Sequence, residues 1–180
     1  MLYGDTNPSG KLAMSFPYTI GQVPVFYNEF HTGRPNQGEG KFFSKYLDVP
    51  NEPLYPFGYG LSYTQFSISE VELSGAELSR NIVIKASVTV KNIGTMTGKE
   101  VIQLYFQDIC GSVVRPVREL RGFQKIELAP GEERRISFTI SEEMLRFYGI
   151  DMKYASEPGE FHVYIGNCST TQNRKRFILQ

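Results

Sequence analysis

Four carboxylates in the first third of the chain, Glu29, Glu39, Asp48 and Glu52, are of the type that acid–base or nucleophilic catalysis uses. Catalysis by a pair needs a fixed separation. Nothing in this stretch fixes one, so the four read as solvated loop carboxylates. Arg115, Arg118 and Arg121 form a basic cluster that could hold a phosphate, yet the chain has 19 basic and 19 acidic residues. Pairing with Asp108, Glu119 or solvent is therefore the expectation. His162 falls on the face opposite Phe161 and Val163 and is expected to be an exposed strand residue. His31, in the FHTGRPN loop, has no partner histidine nearby. Cys110 and Cys168 are too few and too far apart for a disulfide framework and are expected as free thiols. With only His31 and His162 to join them, no metal or other cofactor is expected.

The formal net charge of zero excludes a broad attraction to nucleic acid or to an anionic membrane, so neither is expected as a partner. No apolar run approaches the roughly 20 residues of a membrane helix. Met1, Leu2, Tyr3, Gly4 and Asp5 supply neither a basic nor an apolar signal region, so no signal peptide is read at this start. The compartment stays open between cytoplasm and periplasm.

The elements that must position these residues fall into two halves. Of the 24 Phe and Tyr residues, 14 lie within the first 66 positions, a stretch with neither helical nor strand period. It is broken by Asn7-Pro8-Ser9-Gly10, Phe16-Pro17, Gly33-Arg34-Pro35-Asn36 and Gly38-Glu39-Gly40, which are turn signals. Only short extended pieces such as Val23 to Tyr27 are expected there. The run PLYPFGYGLSYT, from Pro53 to Thr64, is too stiff for a linker and too interrupted for a helix or a plain strand. It reads as an ordered aromatic strap. A segment this apolar and irregular cannot close its own core. Residues 1–60 are therefore expected to pack on a neighbour, either the side of the domain formed by the second half or a second copy of the chain, because soluble monomers rarely expose apolar patches beyond a few hundred Å2.

The second half alternates. Ile82, Ile84, Ala86, Val88 and Val90 alternate with Lys85, Ser87, Thr89 and Lys91, and Ile102, Leu104 and Phe106 with Gln103, Tyr105 and Gln107; Ile136, Phe138 and Ile140 alternate likewise, as do Phe161, Val163 and Ile165. Phe66 to Leu73 adds a first strand whose phase slips between Ile68 and Val71, as at a bulge. Lys175 to Leu179 adds a short last one. Ala129-Pro130-Gly131-Glu132 and Glu157-Pro158-Gly159-Glu160 are expected type II turns, with glycine at the third position. Glu142 to Phe147 is expected to form a helical turn capped by Ser141. Six or seven short strands point to a mainly β fold, an antiparallel β-sandwich of immunoglobulin or fibronectin type III character preceded by an irregular aromatic-rich segment. There is no tryptophan and the cysteines are wrongly placed for a core disulfide. The fibronectin-like form fits better.

An ordered series of segments carries a resemblance: GDTNPSGKLAMSFP (Gly4 to Pro17), GQVPVFYN (Gly21 to Asn28), TGRP (Thr32 to Pro35), PLYPFGYGLSYTQF (Pro53 to Phe66), VTVKNIGTMTGKEVIQLYFQD (Val88 to Asp108), RPVRELRGFQKIELAPGE (Arg115 to Glu132) and EPGEFHVYIG (Glu157 to Gly166). Together they resemble the C-terminal end of bacterial family-3 glycoside hydrolases, the β-glucosidases. Ala13 departs from the family, which usually has proline there. That family is built as an (α/β)8-type barrel, an α/β sandwich domain and a fibronectin type III-like domain. The resemblance implies that residues 1–60 are the tail of the second domain plus linker, and that 61–180 are the third domain. It implies a structural module, inactive alone, whose partners are the upstream catalytic domains; a β-glucoside would be substrate only of the full-length protein. The catalytic carboxylates of the family lie upstream, so no catalytic residue is assigned here. Loops of this region approach the rim of the sugar pocket in the family, which makes Arg34, Tyr46 and Asp48 the substrate-rim candidates. A free-standing carbohydrate- or protein-binding module is the alternative; the missing tryptophan and the aromatic first half weigh against it.

Overall fold

In a computed structural model of the chain, the described residues are 1–30 and 45–180. Eleven strands follow in order: β1 (Phe66–Ile68), β2 (Glu72–Leu73), β3 (Glu77–Leu78), β4 (Ile84–Asn92), β5 (Gly98–Asp108), β6 (Glu119–Leu128), β7 (Glu133–Ile140), β8 (Phe147–Tyr148), β9 (Tyr154–Ala155), β10 (Gly159–Gly166) and β11 (Arg174–Leu179). One sheet has β4 at its centre, with β1 and β2 along one edge and β7 along the other. The second runs β3-β11-β10-β5-β6, and β8 and β9 form a small hairpin. All pairings are antiparallel except β3 with β11. This is the expected sandwich.

The two sheets face each other through the alternating apolar residues. Ile84, Ala86, Val88 and Val90 of β4 and Ile136, Phe138 and Ile140 of β7 meet Ile102, Leu104, Phe106, Val163, Ile165 and Phe177 in one buried cluster. Phe177 stacks on Phe161 at 5.6 Å and meets Phe106 edge-on at 6.0 Å, geometries that suit the aromatic quadrupole.

The slip expected after Ile68 is present. Ile68 pairs with Val90 and Glu72 with Ser87, so one extra residue sits between β1 and β2. Gly131 has φ +77° and the Glu132 N–H donates to the Ala129 carbonyl at 3.0 Å, which is the type II turn. Several expectations need correction. Gly159 has no positive φ; it begins β10 and pairs with Leu179, so no type II turn forms there. Strand β4 starts at Ile84, leaving Ile82 exposed at the edge. Of Val23 to Tyr27, expected as a short extended piece, Val23 is extended with φ −76° and ψ 129°; it joins no strand, a 3-10 turn, Ile20–Gln22, precedes it, and the Val23–Pro24 bond is cis. Glu142–Leu145 is a 3-10 turn, and the Ser141 side chain makes no capping bond to it. Glu142 instead turns inward to Arg146 and Ser156.

Strand β6 was not anticipated. The register shift between Leu104 and Tyr105 leaves Arg121 as an extra residue, so Leu120 and Gly122 sit opposite residues of opposite faces. That breaks the two-residue period on which strand recognition rests.

Candidate functional site

An antiparallel sheet commonly buries one face and wets the other. Here β5 and β10 are buried on both. Gln103, Tyr105 and Tyr164 lie on the face away from the core, yet each is at most 3% exposed. The aromatic first half covers Gln103 and Tyr105, and Arg118 lies over Tyr164. Tyr27 stacks on Phe57 at 4.4 Å and meets Tyr105 edge-on at 5.9 Å. Gly58 has φ +81°, and a Cβ there would come within 2.5 Å of Gln103 Oε1, so only glycine lets the strap close onto the sheet. Of the two neighbours expected for the first segment, the sandwich's own side is one that it packs on.

Polar contacts fix this docking. The Ser169 N–H donates to the Phe57 carbonyl at 2.9 Å, and Lys11 Nζ lies 2.6 Å from Glu100 Oε1 with both side chains largely buried. Asn7 and Ser62 join through a hydrogen bond of 2.9 Å. Paired bonds between Phe16 and Tyr55 and the bonds linking Leu12 with Gly58 and Tyr59 tie the start of the chain to the strap.

The arginine cluster resolves into two roles. Arg115 pairs with Glu119 at 2.7 Å and lies 3.8 Å from Asp108, and Arg121 reaches Glu119 at 3.2 Å, as expected of ion pairs. Burial, ahead of its other contacts, raises the Asp108 pKa. Arg118 does something else. Its guanidinium sits 3.9 Å from the Tyr164 ring centre and donates to the carbonyls of Ser169 and of Thr171, the latter at 2.9 Å. Burial lowers its pKa and raises that of the Tyr105 phenol beyond the ordinary range. Arg118 thus clamps the β10–β11 connection that in turn holds Phe57.

His162 is a correction: its side chain is 18% exposed, Nε2 lies 3.5 Å from Glu160, and Nδ1 is buried with no hydrogen-bond partner among the described residues. Burial lowers its pKa. His31, Arg34 and Glu39 lie outside the described residues. Cys110 and Cys168 are free, and no group of three or more potential metal ligands occurs among the described residues.

Tyr46 and Asp48 share one exposed bend. The Tyr46 N–H donates to Asn51 Oδ1 at 2.9 Å, and Gln22 holds the next residues, its Nε2 donating to the Pro50 carbonyl at 2.6 Å. Gln22 was invisible in the sequence, where a polar residue among turn signals carries no period.

Around the docked strap the outer surface remains apolar. Phe26, Phe30, Leu47 and Ile20 are each at least 60% exposed. A groove of about 640 Å3 opens between Met1, Pro8, Leu12, Phe16, Tyr55 and Leu61. Such a surface marks an interaction face.

Residues 1–63 match the glycosyl hydrolase family 3 C-terminal domain, and residues 100–169 match the fibronectin type III-like domain. The periplasmic beta-glucosidase of Salmonella typhimurium is 52% identical over 99% of this chain. The chain belongs to glycoside hydrolase family 3. It corresponds to the C-terminal segment of that family and spans about a quarter of the length of the curated relatives it matches, 24% of the Salmonella protein. The thermostable beta-glucosidase B of Acetivibrio thermocellus is 43% identical over 99% of this chain and 26% of its own length. Among solved family 3 structures, the beta-glucosidase of Listeria innocua in complex with glucose superposes with a TM-score of 0.92 at 45% identity, over 99% of this chain and 25% of that one.

Proposed function

We propose that this chain works as the C-terminal structural module of a β-glucosidase that hydrolyses terminal β-linked glucose with retention. Residues 1–60 are the tail of the preceding α/β sandwich domain and its linker, and 61–180 are the fibronectin type III-like sandwich. Retaining hydrolysis needs two carboxyl groups about 5–5.5 Å apart, and these belong to the upstream domains. The module braces those domains. The carrying observation is the apolar outer surface of the first segment, with Phe26, Phe30 and Leu47 exposed among the described residues, in the stretch that matches the family 3 C-terminal domain. In isolation the same surface favours self-association through residues 1–60. Arg34, Tyr46 and Asp48 serve the rim of the sugar pocket, where an aromatic face stacks on a pyranose and charged groups bond its hydroxyls.

The test compares a chromogenic aryl β-glucoside, with the β-xyloside as reference, on the full-length enzyme, on that enzyme cut short before this segment, and on the chain alone. Activity only in the full-length enzyme supports the proposal. Turnover that scales with the purified chain and disappears in Asp48→Ala or Glu52→Ala would overturn it, and so would full activity in the shortened enzyme.

A further inference from the structure

Of Arg115, Arg118 and Arg121, two are committed to Glu119, and on the face of β10 and β11 away from the core Arg176 is committed to Glu160 at 2.9 Å. Among the described residues Arg118 and Arg174 have no carboxylate partner. Both are held on one ring. Tyr164 pairs in register with Arg174, whose Nη1 donates to the Tyr164 hydroxyl at 3.2 Å, and the Arg118 guanidinium lies 3.9 Å over the same ring. Arg118 spends Nη1 on the carbonyls of Ser169 and Thr171. The Nε and Nη2 groups of both arginines carry no hydrogen bond among the described residues. That edge of a guanidinium is a planar fork, and it takes an oxyanion through two parallel bonds. Arg118 is half-buried among neutral groups, so it has lost hydration without gaining a counter-charge. The local field is positive as well: burial and then Arg174 lower the His162 pKa, against the opposing pull of Glu160.

We propose that Arg118 and Arg174, brought together on Tyr164, form a binding site for a small oxyanion of the phosphate type, free or as a monoester. Two guanidiniums match the charge of a phosphate dianion, and two unspent forks match its several acceptor oxygens. A single carboxylate would leave one of the two charges unmatched. The two arginines contribute unequally. Arg118 is already fixed by two carbonyls and the ring, so its fork is preorganised; Arg174 is exposed and loses side-chain freedom when it engages. Removing one charge-assisted contact should weaken binding by about tenfold or more. Lysine cannot replace Arg118, because a point charge lacks the planar fork and its stacking on Tyr164.

Isothermal titration of the full chain with inorganic phosphate at pH 8, with ionic strength held constant by sodium chloride, tests this directly. A single phosphate should bind saturably. Arg174→Gln, a change at an exposed position, should weaken it about tenfold, and Arg118→Lys by at least as much. Arg134→Gln should leave it unchanged, since Arg134 is paired with Glu132 and lies on β7 in the other sheet. Glucose 6-phosphate is the second arm: tighter binding than phosphate assigns the site to a monoester, equal or weaker binding to the free ion, and the site stands in either case. Uptake that does not saturate, or that falls in Arg134→Gln as it does in Arg174→Gln, is diffuse attraction to basic surface and overturns the proposal. Unchanged affinity in Arg174→Gln overturns it too. Should Arg118→Lys fail to fold, because Arg118 also clamps the β10–β11 connection, Arg174→Gln decides alone.

Discussion

Replacing Asn92 by alanine should destabilise the whole chain. Asn92 ends β4, is fully buried, and uses every polar valence of its side chain. Oδ1 accepts from Thr64 Oγ1 at 2.7 Å and from the Gly94 N–H at 3.1 Å; Nδ2 donates to the carbonyls of Met96 at 2.8 Å and Leu128 at 2.9 Å. It therefore joins the end of the strap, the β4–β5 turn and the second sheet. Alanine orphans four groups, of which the Thr64 hydroxyl and the Leu128 carbonyl make fully buried bonds. At about 1–3 kcal/mol for each such group, and with water recovering part of the loss, the cost is about 2–4 kcal/mol. For a domain of this size that is a fall in Tm of roughly 4–16 °C. Urea unfolding of the full chain at neutral pH reads it as a lower midpoint with an unchanged slope. Thr64→Val removes one bond and should cost less, and the double variant should cost less than the sum of the two. A loss in Asn92→Ala below about 0.5 kcal/mol, or strict additivity with Thr64→Val, would refute the view that this side chain fastens strap and sheets together.

Lys11→Met should cost about 3–5 kcal/mol, because it leaves the buried Glu100 carboxylate without its cation, and Lys11→Met with Glu100→Leu should recover most of the loss on the same urea curves. Hydrogen bonds from Arg146 and then Ser156 hold Glu142 at a pKa of about 2, below its ordinary 4.5. A depressed carboxyl contributes stability that is intact above the ordinary value and is lost as pH falls from about 4.5 toward 2. Thermal melts should accordingly show Glu142→Gln less stable than the unaltered chain at pH 7, with the gap closing across that window; a gap that widens in acid contradicts the assignment. A reductant or a chelator should leave the thermal midpoint unchanged, since Cys110 and Cys168 are free and no metal-ligand cluster occurs among the described residues.

What was legible in the sequence was legible through period. Strands β4, β7 and β10 bury one face in the core, and alternation carries them directly. Strand β6 stayed hidden because its bulge at Arg121 shifts the phase, and its Phe123 is 66% exposed where a buried aromatic would have completed a pattern. The expected Ser141 cap failed for a local reason: the partners that organise this turn are the Arg146 guanidinium and the Ser156 hydroxyl, both reaching Glu142. Charge-assisted bonds of that kind outweigh a single neutral cap. The burial of His162 went unseen because it comes from the β10 face away from the core, and nothing in the alternation of β10 shows that this face is covered.

The second face of the five-stranded sheet is where sequence and structure join most informatively. By period alone, Gln103, Tyr105 and Tyr164 belong to solvent; each is nearly absent from it. For Gln103 and Tyr105 the missing information lay in Gly58 and Tyr27, 45 and 78 residues earlier along the chain, in a segment whose own residues have no period. Tyr27, Phe57 and Gly58 make sense only against Tyr105 and Gln103, and those two only against the strap. Neither half is complete without the other. The first segment then bears an inner face matched to the sandwich and an outer face on which Phe26, Phe30 and Leu47 are exposed among the described residues. A segment anchored so firmly on one side and left apolar on the other is suited to fix the sandwich rigidly against the rest of a larger enzyme. The bend of Tyr46 and Asp48 lies in that same segment, so any looseness in the docking passes directly to the residues proposed for the sugar rim.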